Sequence, residues 1–348
     1  MVDPTRARSS KAPGAGSRAL RVLPEVAEAL ERGRPIVALE TAVLTHGLPR
    51  EPLGERPRGA DAAWRPDAPV NLEVARLLER IVAAEGAVPA TMAVVRGELW
   101  AGLDSARLEA LAADRGAGKA AARDIAAAIA GGRSAGLTVA GTLAACAAVE
   151  RSGGAAIRVF ATGGIGGAHH GWAQSGDISA DLMALARTPV AVVCAGAKSI
   201  LDLAATLEML DSLGVPVVGH GTARLPRFIS RSGPDLALPC RLDDERAIAA
   251  LCAAHWELIG AESAVLVMQE PPSEVAVDAA LIDAARRDAE SSEALRGVRG
   301  PEVTPRLLAA IASRTEGRSL SANIGLLIEN ARLAARLASA MVGLSGPP

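Results

Sequence analysis

The sequence predicts an α/β protein, a three-layer α/β/α sandwich with a mainly parallel sheet. Short apolar, β-branched runs such as Ile36–Leu39, Val159–Ala161 and 190–194 have the length and composition of strands buried on both faces. They alternate with segments of helical periodicity, the pattern of strands joined by crossover helices. No Pro/Gly/Ser-rich linker divides the middle of the chain, so residues 21–345 read as one domain. With 348 residues, half of them hydrophobic, the chain can bury one large core.

In order, residues 1–20 are rich in Ser, Arg, Gly and Pro, lack periodicity, and read as a disordered tail. Helix Pro24–Glu31 leads to strand Ile36–Leu39, which runs straight into Glu40. Between about 51 and 69 the composition turns to Pro, Gly, Arg and acidic residues around a lone Trp64, a surface insertion. A helix over 71–84 repeats Leu72, Ala75, Leu78 and Ile81 at helical spacing, with Asn71 as its cap and Gly86 as its stop. A strand at 91–95 faces 99–103 across Arg96-Gly97, helix Ser105–Ala113 follows, and Lys119 sits in a turn before a helix at 124–130. Helix 137–149 is entered through Thr138, strand 157–161 follows, and 177–181 is a helix entry capped by Ser179 or Asp177. The remaining expectations are helices at 199–213, 244–258, 274–289, 305–314 and 320–342, and strands at 215–218 and 264–268.

The formal net charge is −2, and basic residues do not cluster outside the tail, which argues against nucleic acid as a partner. No apolar run is long enough to cross a bilayer and the start has no hydrophobic signal core, so the expectation is a cytoplasmic protein with no membrane association. Three of the four cysteines lie in apolar segments and read as reduced core thiols. Of 37 basic residues only Lys11, Lys119 and Lys198 are lysine. Where arginine serves almost everywhere, an interior lysine points to a need for an amine, which can lose its proton and attack a carbonyl.

Five apolar runs end in functional groups: Glu40, Thr162 with its glycines, Lys198, His220 and the Gln269-Glu270 turn. A parallel sheet carries such ends to one edge, where they can share a cleft. The Thr162–Gly167 turn, TGGIGG, reads either as a tight turn or as a row of backbone N–H groups for a phosphate. Asp177 reads as a cap or as the post of a water-rich Mg²⁺ or Mn²⁺ site. His169 and His170 are adjacent, so their side chains diverge and one functional histidine fits better than a zinc site. Asn323 and Asn330 are seven apart on an apolar helical face, where an amide either holds a loop or reads the edge of a nucleobase.

Several stretches in order resemble the pseudouridine-5′-phosphate glycosidase (indigoidine synthase A-like) family: ALET…HGLP, VPATMAVV, TVAGT, FATGGIGGAHHG, DISADL, TPVAVVCAGAKSILD, GVPVVGHGT, VTPRLL and SLSANIGLLIENA. The resemblance implies reversible cleavage of the C–C glycosidic bond of pseudouridine 5′-phosphate to uracil and ribose 5-phosphate, in pseudouridine catabolism. It implies Lys198 as the nucleophile that forms a Schiff base with C1′ of the opened sugar, and Glu40 as the acid/base. It further implies Lys119 at the phosphate and Val139, Ser179, Ala180, Asp181, His169 and Asn323 as substrate contacts. Asp177 would hold Mn²⁺, with Mg²⁺ as the alternative, and the assembly would be a homotrimer acting on a small molecule. The 51–69 insertion, His170 in place of a common arginine, His220 in place of a common tyrosine, and Met268-Gln269-Glu270 in place of an Asn-Pro-like turn depart from the family pattern. A Schiff-base aldolase or lyase on another sugar phosphate, or a non-catalytic sugar-phosphate-binding protein, would use the same lysine and turn.

Overall fold

The computed structural model describes residues 19–153, 155–231, 233, 235–291, 312, 314–315 and 317–345. The chain begins with β1 (Leu20–Val22), α1 (Pro24–Glu31) and β2 (Ile36–Leu39), then a π-helical turn at Val43–Gly47. Next come α2 (Val70–Ala84), β3 (Val88–Val95), β4 (Glu98–Ala101), α3 (Ser105–Ala113), β5 (Gly118–Ala120), α4 (Ala122–Ala130) and β6 (Ala135–Leu137). The middle comprises α5 (Val139–Arg151), β7 (Val159–Ala161), α6 (Trp172–Ser175), α7 (Ala180–Leu185), β8 (Ala191–Cys194), α8 (Leu203–Ser212) and β9 (Val217–Gly219). It ends with β10 (Cys240–Arg241), α9 (Glu245–Ala253) running into a π-helical turn at Ala254–Leu258, β11 (Val265–Met268), α10 (Ala279–Ser291) and α11 (Arg318–Ser345).

The sheet runs β1-β4-β3-β2-β7-β8-β11-β9-β10, with β6 added on β3 and β5 on β6. From β3 to β10 every pairing is parallel; β3 pairs antiparallel with β4 and β6. The β3–β4 reversal is local: Arg96 and Gly97 both take positive φ, 49° and 80°, as a two-residue primed turn requires. The central strands β2, β7, β8 and β11 are buried along their whole length, as strands covered by helices on both faces must be. Helix α11 packs on β2, β7 and β8 beside α2 and α9, and α5 packs with α4 and α7 on the opposite face. The mainly parallel α/β/α architecture is the one the sequence predicts.

Several elements differ from expectation for physical reasons. Leu20 already belongs to an edge strand, and residues 1–18 of the expected tail lie outside the described residues, as does most of the 305–314 helix. Lys119 lies on β5, a three-residue strand too short to show periodicity, and not in a turn. Helix α8 starts at Leu203 because Asp202 Oδ1 accepts from Ala205 N at 3.0 Å, leaving 199–202 as a turn. Asn71 is not the cap of α2 but its second residue, fully buried, with Nδ2 donating to the carbonyls of Leu44 and Ala112 at 3.0 Å each. The insertion is tied down: Trp64 is only 5% exposed and donates Nε1–H to Glu55 O at 3.0 Å. Arg80 forks onto Asp61 at 2.7 and 2.9 Å, and Arg65 reaches the buried Glu73 at 2.7 Å.

Trp64→Ala is expected to destabilise the protein by about 3–5 kcal/mol, the usual range for emptying a buried indole site. Urea unfolding measures this; a loss below about 1 kcal/mol would make the insertion a detachable loop.

Candidate active site

Glu40 is the first residue past β2, at the carboxyl edge of the sheet. The turn after it is locked by Thr41, whose Oγ1 donates to Met92 O at 2.6 Å and accepts from Leu137 N at 3.0 Å. At Gly136 on β6 a methyl group would lie 2.3 Å from Thr45 Oγ1 and 2.5 Å from Thr41 O, so only glycine lets the turn sit this close. The Glu40 carboxylate accepts a short hydrogen bond from Thr162 Oγ1, at the end of β7. Thr162 is itself fixed: its N–H donates to Val193 O at 3.0 Å, and its carbonyl accepts from Asn330 Nδ2 at 2.8 Å. Asn330 Oδ1 then accepts from Gln269 Nε2 at 2.9 Å. The departure at Gln269 thus has a local partner, and Asn330 holds a loop.

Lys198 is reached through two loops that keep pairing after β7 and β8 end. Ile165 N donates to Gly196 O at 3.1 Å, and Lys198 N donates to Ile165 O at 3.0 Å. Gly196 takes φ +85° beneath Pro226 O, which would lie 2.1 Å from a Cβ. Lys119 enters from β5. Glu40, Lys119 and Lys198 line one cleft with His46, Phe228 and Asn323.

Burial pushes the Glu40 carboxyl above its ordinary value of 4.5, with Asp181 adding to the rise; Lys198, the Thr162 hydroxyl and Lys119 oppose it. Burial, then the Lys198 charge, lowers Lys119, against the pull of Glu40 and Asp181. His46, whose Nδ1 lies 2.7 Å from Thr45 Oγ1, is lowered by burial and then by Lys119 and Arg50. The cleft therefore holds a carboxyl biased toward its protonated form beside two amines.

Beside it lies a second cluster. Asp181 accepts from Ala140 N at 2.9 Å and from Gly166 N at 2.8 Å, clamping the start of α5 to the glycine turn. Ser179 caps α7, donates its own N–H to Gly167 O at 2.9 Å, and fills the space a Gly166 side chain would need. Ala180 is the first residue of α7 and Val139 the first of α5, where helix N–H groups lack intrahelical acceptors. His169 donates its backbone N–H to Asp177 O at 3.1 Å and bridges to Leu201 across the Lys198 turn. The N–H groups of Ile165, Gly166 and Ala168 are taken by Gly196 O, Asp181 Oδ2 and Thr206 Oγ1. TGGIGG is accordingly a packed turn, and these three N–H groups are not available to a phosphate.

Of the five strand ends, those of Glu40, Thr162 and Lys198 converge. His220 and the Gln269-Glu270 turn do not line the cleft among the described residues. Thr162 as the partner of Glu40, His46 and Phe228 were not singled out by the sequence. His46 stands six residues after Glu40, but nothing in its spacing reveals that the π-helical turn brings it back to the cleft. Among the described residues no three His, Cys, Asp or Glu side chains gather into a metal cage, and Asp177 stands half-buried as a lone carboxylate, the donor type a largely hydrated Mn²⁺ or Mg²⁺ takes.

Comparison with known proteins adds a family. The profile described as "Indigoidine synthase A like protein" matches residues 25–340. A pseudouridine-5′-phosphate glycosidase of Gemmatimonas aurantiaca is 50% identical over 322 residues, covering 92% of this chain and 96% of that one. One from Herpetosiphon aurantiacus is 45% identical over 323 residues, covering 92% and 98%. Among solved structures, the prealnumycin C-glycosynthase AlnA in complex with ribulose 5-phosphate superposes with TM-score 0.80 at 36% identity, covering 94% of this chain and 98% of that one. An indigoidine synthase A-like protein of Thermotoga maritima gives 0.76 at 31%, covering 93% and 96%.

The raised pKa of Glu40 has a consequence for stability. Its favourable contribution is fully present below the unfolded value of 4.5 and is lost as pH rises through the higher folded value. Glu40→Gln is therefore expected to gain stability relative to the native chain as pH is raised from 4.5 toward neutrality. Urea midpoints across that range test this, and a pH-independent difference would rule out burial as the cause.

Proposed function

The chain belongs to the indigoidine synthase A-like family, and from that premise we propose that it reversibly cleaves the C–C glycosidic bond of pseudouridine 5′-phosphate, giving uracil and ribose 5-phosphate. The observation that carries this reading is the convergence of Lys198, Lys119 and a buried, Thr162-bonded Glu40 in one cleft. A C-glycoside lacks a leaving oxygen or nitrogen to protonate, so the two-carboxylate chemistry of ordinary glycosidases suits it poorly. An amine nucleophile supplies an electron sink instead.

In this mechanism Glu40 gives its proton to the ribose ring oxygen as the C1′–O bond opens, and the Lys198 amine bonds to C1′. The bonded nitrogen returns a proton to the Glu40 carboxylate. The C1′–C5 bond then breaks with its electron pair passing to uracil C5, which takes that proton from Glu40, while the nitrogen lone pair completes a C=N bond at C1′. Water hydrolyses that imine and releases ribose 5-phosphate and the free lysine. Lys119 meets the phosphate, together with the N-terminal ends of α5 and α7 at Val139, Ser179 and Ala180, where the positive ends of the helix dipoles favour an anion. Asp181 keeps those two helix ends in register, and His169 stands beside them. Asn323 offers an amide to the pyrimidine edge. Asp177 would hold Mn²⁺ or Mg²⁺, whose chemistry there is to offset phosphate charge. A trimeric assembly, a cytoplasmic location and a role in pseudouridine breakdown belong to the same proposal.

Borohydride reduction in the presence of ribose 5-phosphate is expected to add the reduced sugar phosphate to the Lys198 peptide, read by mass. Lys198→Ala and Lys198→Arg should show neither adduct nor uracil release, and Glu40→Gln should lower kcat by about 10²–10⁴. Full turnover in Lys198→Arg would refute the amine. Turnover of other sugar phosphates without uracil release from pseudouridine 5′-phosphate would make the protein a Schiff-base aldolase or lyase.

A further inference from the structure

Phe228 is a bulky residue in a backbone conformation that such residues avoid. Its φ is 61°, and Arg96 is the only other described non-glycine residue with positive φ. Arg96 sits in the primed β3–β4 turn. Phe228 likewise opens a two-residue turn, between the bridged Arg227 and Ser230, but at a position such turns give to Gly, Asn or Asp and not to a bulky ring. Its conformation is imposed by the strap around it. Phe228 N donates to Ala195 O at 2.8 Å, and Arg227 O accepts from Ser199 Oγ at 2.6 Å. Arg227 and Ser230 exchange backbone bonds at 3.2 Å, and Ile229 O accepts from Val277 N at 2.9 Å. Strain held this firmly clusters at working sites.

The strain delivers a ring to the cleft. A methyl group at Gly164 would lie 2.7 Å from Phe228 Cδ2 and 3.1 Å from Cε2, and one at Gly163 would lie 3.4 Å from Cε2. The ring therefore lies against the bare backbone of the glycine turn that separates Thr162 from Lys198. It is 5% exposed, yet lines the cleft with Glu40, Lys198 and Asn323, and apart from the His46 imidazole it is the only aromatic side chain to do so among the described residues. The chain has two phenylalanines and no tyrosine, and the other, Phe160, is wholly buried in β7.

We propose that Phe228 is a specificity-determining residue whose ring packs against the flat face of the pyrimidine, while Asn323 and Glu40 address its polar edge. This rests on the functional reading above and deepens it: the strap selects a planar aromatic leaving group and makes no contribution to the sugar phosphate. Base–aromatic stacking is sequence-tolerant in its chemistry but needs a face held in place, which the strap provides.

The test separates base from sugar. In the synthetic direction Phe228→Leu, and Phe228→Gly as the variant that φ 61° accommodates without strain, are expected to raise KM for uracil about tenfold or more, the size of one lost stack. KM for ribose 5-phosphate and the yield of its borohydride-trapped adduct should stay within about twofold, a factor too small to register a lost contact, and Phe228→Tyr should restore uracil affinity. Equal loss of sugar and base binding in both variants would make Phe228 a structural strut and overturn the inference. An unchanged KM for uracil would overturn it as well. Failure of the native protein to trap ribose 5-phosphate at all would overturn the functional reading, and this inference with it.

Discussion

The burial of one carboxyl group organises this protein. A carboxylate withdrawn from water must be hydrogen-bonded or keep its proton, and Glu40 does the first through Thr162 and leans toward the second. Its position allows no looseness, since it stands between a strand buried on both faces and a turn pressed onto Gly136. Thr162 needs its own support, supplied by Asn330, which in turn is held by Gln269. One ionisable group thus recruits β7, α11 and the end of β11, elements that meet nowhere near it in sequence. The two lysines complete the field: each lowers the cost of ionising Glu40, and Lys198 makes it harder for Lys119 to carry a charge.

The glycine-rich turn shows how backbone and chemistry are divided. The Ile165 and Gly166 amides within it and the Ala168 amide just after it are engaged by Gly196, Asp181 and Thr206, which fixes it as a spacer. Asp181 has both carboxylate oxygens on backbone N–H groups of different elements, so its first role is to hold α5 and the turn together. Its charge still reaches Glu40 and Lys119. A side chain of this kind contributes to a site by positioning it and by its field at once, and the two contributions fail together when it is removed.

What could be read in the sequence follows from how local each signal is. Strand ends are local, so Glu40 and Lys198 were legible from an apolar run and the polar residue after it. Lysine scarcity made Lys119 legible too, although its strand was not, because three residues carry no period. Asn71 looked like a cap because caps are judged by residue type beside a helical pattern; its buried amide instead bonds two carbonyls far along the chain. Trp64 stands alone in a polar insertion with no pattern around it, and its packing depends on α2 and on ion pairs formed after folding. The Thr162–Glu40 bond spans 122 residues, and no pattern in one sequence encodes it. Phe228 was invisible for a different reason: its value lies in a backbone angle, which composition does not record.

Helix α11 joins stability to selectivity. Asn323 and Asn330 lie two turns apart on it, one lining the cleft and the other buried on the carbonyls of Thr162 and Gly163. Between them Leu326 and Leu327 stand within contact distance of where a Gly163 side chain would begin. Phe228 presses on the same glycine turn from the cleft side. The turn is therefore gripped between a helix that closes the core and a strap that borders the substrate, with no side chain of its own to absorb a shift. A displacement of α11 moves Asn323, the support of Thr162 and the seat of the Phe228 ring together. Close packing transmits such shifts and does not dissipate them, so substitutions beneath α11, remote from any reacting atom, should alter base recognition before they unfold the domain.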